Sequence, residues 1–279
     1  MRPPRLSGGA RRRLVHGSLI GATVAYVGVL VVAPLVGIAV AALKPGLSAW
    51  RTVFSDPYAT HAYVLTGFIT AETLLVTTVM GVAVALVLAR DRFPGRAVVS
   101  ALVDLPLAVS PVVVGLAAVL LFGRGGWFEP WFAARGIQVL FAVPSMVLVT
   151  IFISIPFVIR EVAPLLQELG TEEEEAARTL GASHLQTFFR VTLPNIRWGL
   201  LYGIALTTAR ALGEVGAVLI VSGTIAGQTE TSTLFILRAF DEGHDTPGYV
   251  VALTLAMVSI VMLFGIELFR RRQEKGHSA

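Results

Sequence analysis

Apolar stretches of about twenty residues recur along this chain with short polar joints between them, a pattern that admits a bundle of membrane-crossing helices and little else. Six such runs are read at residues 17–43, 63–89, 98–123, 139–159, 199–223 and 249–269. None shows the period-two alternation of an outer-membrane barrel. Only 14% of the 279 residues are charged and 55% are hydrophobic, against about 25% charged in soluble domains. No large soluble domain fits between the runs. The fold expected is an all-α integral membrane protein with six transmembrane helices. Prolines at 106 and 111 in the third run, and at 144 and 156 in the fourth, free backbone carbonyls that neighbours or water must satisfy.

The first run is longer than the apolar core of a secretory signal and has no convincing cleavage site, so it is expected to stay as the first span. The chain then divides into a basic tail (1–16), a first helix with its outer joint (17–61), a core (62–270) and a closing tail (271–279). Basic residues are unevenly shared between the two sides. Arg2, Arg5, Arg11, Arg12, Arg13, Arg90, Arg92, Arg96, Arg160, Arg178, Arg190, Arg197, Arg270, Arg271, Arg272 and Lys275 fall on the side of the termini. Lys44, Arg51, Arg124, Arg135 and Arg238 fall on the other. The positive-inside rule places both termini in the cytoplasm. Trp127 and Trp131 sit where an interfacial aromatic belt would be. The net charge of +4 is therefore a topology signal, and no basic surface interleaved with aromatics points to nucleic acid.

Several chemistries are excluded by what the chain lacks. There is no cysteine, hence no disulfide, thiolate or Cys-ligated metal chemistry. The two lysines, Lys44 and Lys275, stand in no phosphate-binding loop, so an ATP-driven step needs another polypeptide. His16, His61, His184, His244 and His277 have no metal-ligand spacing, and Ser110 and Ser154 have no histidine at membrane depth.

Five ionisable residues fall in or beside spans: Glu72, Asp104, Arg210, Glu214 and Glu267. A charge near the bilayer centre costs at least roughly 2.5–3.5 kcal/mol on insertion scales, so deep ones pair or line a path. Asp104 and Glu267 are read near cytoplasmic ends, and Glu72 in the outer third of its span. Arg210 and Glu214 are four apart and share a helical face. Two readings stand: a structural ion pair, or one wall of an anion path that also includes Ser110.

The longest polar insert runs from 160 to 198, and its centre, residues 171–194, reads as two short helices. Thr171 with Glu174 forms the pattern of a capping box, and Glu172 and Glu173 suit a helix N-terminus. Gly181 can take the left-handed conformation that ends a helix, Ser183 can cap the next one, which carries Leu185, Phe188 and Phe189, and Pro194 is expected to end it.

The spaced pattern Glu175-Ala176-Ala177, Gly181, Val191, Leu193-Pro194 resembles the EAA loop of ABC importer permeases. RFPGR at 92–96, DLPLAVSPVVVGL at 104–116, IPFVIREVAPLL from Ile155 and VTLPNIRWGLLYG at 191–203 resemble the W-type permease subunits of sulfate/thiosulfate importers, over roughly residues 62–270. The stretch ARALGEVGAVLIVSGTIAGQTETSTLFIL resembles the sulfate and molybdate branch. Val215 departs from the aromatic common in that branch.

The resemblance implies a type I (MetI-like) importer bundle in the bacterial cytoplasmic membrane. Its cytoplasmic coupling helix would present Glu174, Glu175, Ala176, Ala177 and Gly181 to a separate ATPase. It further implies a second, T-type permease, two ATP-binding subunits that hold ATP and Mg, and a sulfate-binding protein; the chain itself would carry no cofactor. Alternatives are a molybdate or tungstate permease, an ion-coupled secondary anion carrier and, last, a membrane-embedded enzyme. Since the chain lacks cysteine, Glu175→Cys adds its one thiol. An impermeant maleimide is expected to label it in inside-out vesicles and not in intact cells; labelling of intact cells would remove the coupling role.

Overall fold

The computed structural model describes residues 8–277, with side chains described for 16–268. The expected basic tail and the closing basic cluster lie outside the described side chains. The helices are α1 (Gly8–Leu43), α2 (Leu47–Ser55), α3 (Pro57–Arg90), α4 (Arg96–Ala108), α5 (Pro111–Phe122), α6 (Glu129–Ala133), α7 (Val143–Leu169), α8 (Glu172–Thr179), α9 (His184–Thr187), α10 (Leu193–Leu212), α11 (Gly216–Ser222), α12 (Ser232–Asp241) and α13 (Asp245–His277). A π turn, Phe188–Thr192, joins α9 to α10. Four helices, α1, α3, α7 and α13, are long and apolar enough to cross a membrane. Two bent pairs, α4–α5 and α10–α11, bring the count to six if each is one crossing.

Those two bent pairs add to the expectation of six spans that the third and fifth are broken. The third run turns by 110° at Val109–Ser110, and the fifth by 54° at Gly213–Val215. In the third, Val109 and Ser110 are extended (ψ 135° and 136°), as the residue before a proline prefers, and Pro111 has no N–H to continue the helix. A correction concerns α7, which runs to Leu169 instead of stopping near 159. Val162, Ala163 and Leu166 continue its buried face, so Arg160 lies inside the helix and not in the polar insert. The backbone of α1 likewise begins at Gly8, within the expected tail.

The core is a three-helix contact of α3, α7 and α10. At the end that carries the acidic loop, Val82, Ala85 and Leu88 of α3 pack on Val158, Ile159, Val162 and Leu166 of α7 and on Ile196 of α10. Val158 is held from both sides by glycines: a Cβ on Gly81 would lie 2.8 Å from its Cγ1, and one on Gly203 3.0 Å from its Cα. Small residues are what allow this approach, because in lipid there is no hydrophobic gain from helix association and dispersion contacts must supply it. At the opposite end, Leu65 and Ile69 meet Val114 and Ala118 of α5, Met146 and Val149 of α7, and Ala217, Val218 and Val221 of α11. A third cluster joins α2, α12 and α13 through Val53, Phe235, Ala239, Val250 and Val251.

Most of the polar side chains buried among the described residues are hydroxyls, and some of these bond to their own helix. Thr66, Thr77, Thr150 and Thr208 each donate to the carbonyl four residues back, at 2.8, 2.6, 2.7 and 2.8 Å. The closest approach of the two bent pairs is at Gly115, where a Cβ would lie 2.8 Å from Ile220 Cβ and 2.9 Å from the Ala217 carbonyl oxygen. Overpacking of this kind costs about 1–3 kcal/mol. Gly115→Ala is expected to lower the melting temperature of the purified protein, while Gly67→Ala, with nothing within 4 Å, is not. Equal melting of the two variants would show that α5 and α11 do not set the packing.

Candidate functional site

Two places gather the sequence-selected residues. The first is the acidic loop. Helix α8 opens with Glu172, Glu173, Glu174 and Glu175 in its first turn, where the helix dipole favours them. They do not act alike. Glu174 turns inward and is 8% exposed; its Oε1 accepts from Arg90 Nη2 at 2.9 Å and from Thr192 Oγ1 at 2.9 Å. Glu173 Oε2 accepts from Asn195 Nδ2 at 2.6 Å. Glu175 faces out and takes a bond from Thr171 Oγ1 at 2.7 Å.

The expected capping box at Thr171 and Glu174 is therefore not formed. Thr171 has helical angles and no capping bond, since the Arg90 guanidinium and the Thr192 hydroxyl engage the Glu174 carboxylate instead. The box forms one helix later: Ser183 Oγ accepts from Gln186 N–H at 3.3 Å, and Ser183 N–H donates to Gln186 Oε1 at 2.9 Å. Gly181 does adopt the left-handed conformation, with φ 88°. Around it, Gly181 N–H donates to Arg178 O and Ala182 N–H to Ala177 O, the paired bonds of a Schellman end.

Pro194 does not end the second helix. The π turn Phe188–Thr192 widens the backbone ahead of it, with Leu193 N–H donating to Phe188 O, and the chain runs on into α10. The corner so built leaves Leu180, Leu185 and Phe189 exposed at 89%, 71% and 60%, beside the exposed Glu175, Ala176 and Gly181. Ala177 is half-buried.

The second place is where the two helix breaks abut. Arg210 Nη1 lies 2.7 Å from Glu214 Oε2. Glu214 is past the end of α10, so the pair spans the break and does not sit on one continuous helix. Glu214 also caps α11: its Oε1 accepts from Ala217 N–H at 2.8 Å, and its carbonyl accepts from Thr233 Oγ1 at 2.7 Å. The Glu214 side chain is 2% exposed, whereas Arg210 keeps 30%. Ser110, the exposed residue before α5, makes no side-chain capping bond. The next residue, Pro111, meets the second break, because a Cβ on Gly216 would lie 3.1 Å from Pro111 Cβ.

Other charged groups fall elsewhere. Asp104 pairs with Arg160 across α4 and α7, reinforced by Arg160 Nε at 2.6 Å. Glu230, 1% exposed, is clamped by Arg238 Nε and Nη2 at 2.6 and 3.1 Å. Glu72 lies half-buried on α3. Among the described residues, no group of three or more His, Asp or Glu side chains is placed to hold a metal. Sequence reasoning missed the roles of Arg90, Thr192 and Glu230. Arg90 counted only as a topology charge, although its place as the last residue of α3 was a usable signal.

Residues 78–275 match the family described as binding-protein-dependent transport system inner membrane component. The chain belongs to that family. Among its curated relatives, the sulfate transport system permease protein CysW of Synechococcus elongatus is 47% identical over 252 residues, 90% of this chain and 88% of the relative. The protein of the same name in Escherichia coli is 42% identical over 257 residues, 92% of this chain and 88% of the relative. The sulfate transport system permease protein CysT of Escherichia coli is 34% identical over 263 residues, 94% and 95% of the two chains. Among solved structures, a bacterial alginate ABC transporter in complex with an alginate pentasaccharide-bound periplasmic protein matches with a TM-score of 0.77. That match covers 96% of this chain and 98% of the other at 20% identity, which shows the fold. The family and fold make this a multi-pass inner-membrane permease with the helical bundle of ABC importers.

Within that bundle the charge pair has a measurable structural share. Glu214→Ala removes the partner of Arg210 and leaves the buried Ala217 N–H unsatisfied, and is expected to cost about 1–3 kcal/mol of stability. Glu214→Gln keeps an acceptor for Ala217 N–H and is expected to cost less. Equal melting of the two variants would exclude the capping role.

Proposed function

We propose that this chain is one of two unlike permease subunits of an ATP-driven importer that carries sulfate, and thiosulfate with it, across the cytoplasmic membrane. The observation that carries the reading is the 47% and 42% identity to sulfate permeases over nine-tenths of the chain. The further match to CysT supports a partner of related sequence for this subunit. That an alginate ABC transporter of the same fold is solved in complex with a periplasmic protein supports a sulfate-binding protein as donor. Two ATP-binding subunits would hold ATP and Mg, one on each permease.

The exposed corner of Leu180, Leu185 and Phe189, with Glu175 and Ala176 beside it, is the surface we assign to the ATPase. An apolar patch rimmed by carboxylates is what a docking helix needs, and such a patch on a membrane protein's polar end calls for a partner. The excess of basic residues on that side supports a cytoplasmic position for it and for both termini. The anion path is assigned to the abutting breaks, with Arg210 as the attractive charge, Glu214 as its orienting partner and Ser110 at the open start of α5. Half-helix ends at a break are the usual carriers of substrate sites in transporters. A change in the angle between α10 and α11 would part the pair and release the guanidinium, which is a route to alternating access.

In proteoliposomes holding both permeases, the ATPase and the binding protein, labelled sulfate uptake is expected to need ATP. Thiosulfate should compete with it more strongly than molybdate or tungstate. Uptake driven by an ion gradient without ATP would overturn the reading in favour of a secondary carrier, and stronger competition by molybdate would move the substrate. Arg210→Ala is expected to lower uptake about 10- to 100-fold with assembly intact, the worth of one charge-assisted hydrogen bond. Gly181→Asp should abolish transport while leaving membrane insertion unchanged.

A further inference from the structure

We propose that Arg90 is the positioning residue that fastens the acidic helix α8 to α3, so that a push on α8 is delivered along α3 to the loop that holds Glu214. The proposal rests on the reading of α8 as the ATPase contact. Helix α8 has two kinds of polar tie to the rest of the chain. Thr192, the last residue of the π turn, and Asn195, in the first turn of α10, bind Glu174 and Glu173. Arg90 binds Glu174 from α3.

Two of these donors meet at one carboxylate. Glu174 Oε1 receives both the guanidinium and the Thr192 hydroxyl, with the Arg90 and Glu174 side chains 17% and 11% exposed. A carboxylate so far out of water requires its donors, and the C-terminal end of α3 favours a cation at position 90. The result is a junction of α3, α8 and the π turn through one side chain. A π turn is a weak place in a helix, so the Thr192 tie sits on irregular backbone, while Arg90 and Asn195 sit on α-helices.

The far end of α3 carries the other half of the connection. Ser232 N–H donates to Thr66 Oγ1 at 2.8 Å, and the neighbouring Thr233 donates to the Glu214 carbonyl at 2.7 Å. Thr66 and Arg90 lie on one helix, about 36 Å apart at 1.5 Å per residue. A shift of α3 along its axis therefore moves the first turn of α12 at 232–233 and, with it, the carbonyl of the residue that pairs with Arg210. Gly81 and Val158 interlock between these two ends, so a shift of α3 is passed to α7 as well.

The test uses the assembled transporter in proteoliposomes, with ATP hydrolysed per sulfate imported as the readout. In Arg90→Gln the ATPase is expected to be recruited as in the unaltered protein, and the ratio to rise about tenfold, within the usual range of coupling between sites. Arg90→Lys, which keeps a charged donor, should fall between. The exchange Arg90→Glu with Glu174→Arg should restore part of the ratio that Arg90→Glu alone loses. A ratio unchanged in Arg90→Gln overturns the proposal. Loss of ATPase recruitment that the exchange does not repair also overturns it, since Arg90 would then only support the docking surface. A second measurement needs no ATPase. Spin labels at Glu175→Cys and Val79→Cys should report a broader distance distribution in Arg90→Gln, and an unaltered distribution would refute the fastening. Failure of the unaltered transporter to recruit any ATPase would instead count against the function proposed above.

Discussion

In hydrocarbon every backbone N–H and C=O must find a partner inside the protein, and the two helix breaks are arranged around that demand. A break exposes groups at both of its ends, so each must be closed by something other than the helix. At the second break, Glu214 does most of this: its carboxylate takes Ala217 N–H and its carbonyl takes the Thr233 hydroxyl. Further along, Val221 O at the end of α11 accepts Phe141 N–H at 2.8 Å and Ser145 Oγ at 3.1 Å. The first break borrows the same environment, because Pro111 lies on Gly216 and Gly115 lies on Ala217. Each break is tolerable because the other is there.

The same economy explains why the ionisable side chains occur in pairs that join different elements. Asp104 with Arg160 links α4 to α7, Glu174 with Arg90 links α8 to α3, and Glu230 with Arg238 fixes the segment before α12. Arg210 with Glu214 shares one feature with Arg238 and Glu230: the guanidinium retains exposure while the carboxylate does not. An unequal pair of this kind has donors to spare. What sets Arg210 apart is its place at a helix break, and the anion contact proposed above relies on that place.

The bundle persists at 20% identity to the alginate transporter, so few particular side chains are needed to specify it. What is needed is a set of small residues at close crossings and a break at two places. The identity to sulfate permeases is higher, 47% and 42% over nine-tenths of the chain.

Sequence alone determined the membrane setting, the number of apolar runs, the left-handed Gly181, the Ser183 cap and the contact of Arg210 with Glu214. All of these depend on composition or on residues within four positions of one another, where chain geometry leaves few choices. The breaks were half legible: the prolines and glycines were visible, but the angles of 110° and 54° depend on how α5 and α11 pack together. Only the tertiary structure decided that Glu174 turns inward, that the Thr171 cap is lost to it, and that Pro194 passes through a π turn. The physical reason is that Arg90 stands 84 residues from Glu174, and no local pattern can show which of four neighbouring carboxylates a distant guanidinium will meet.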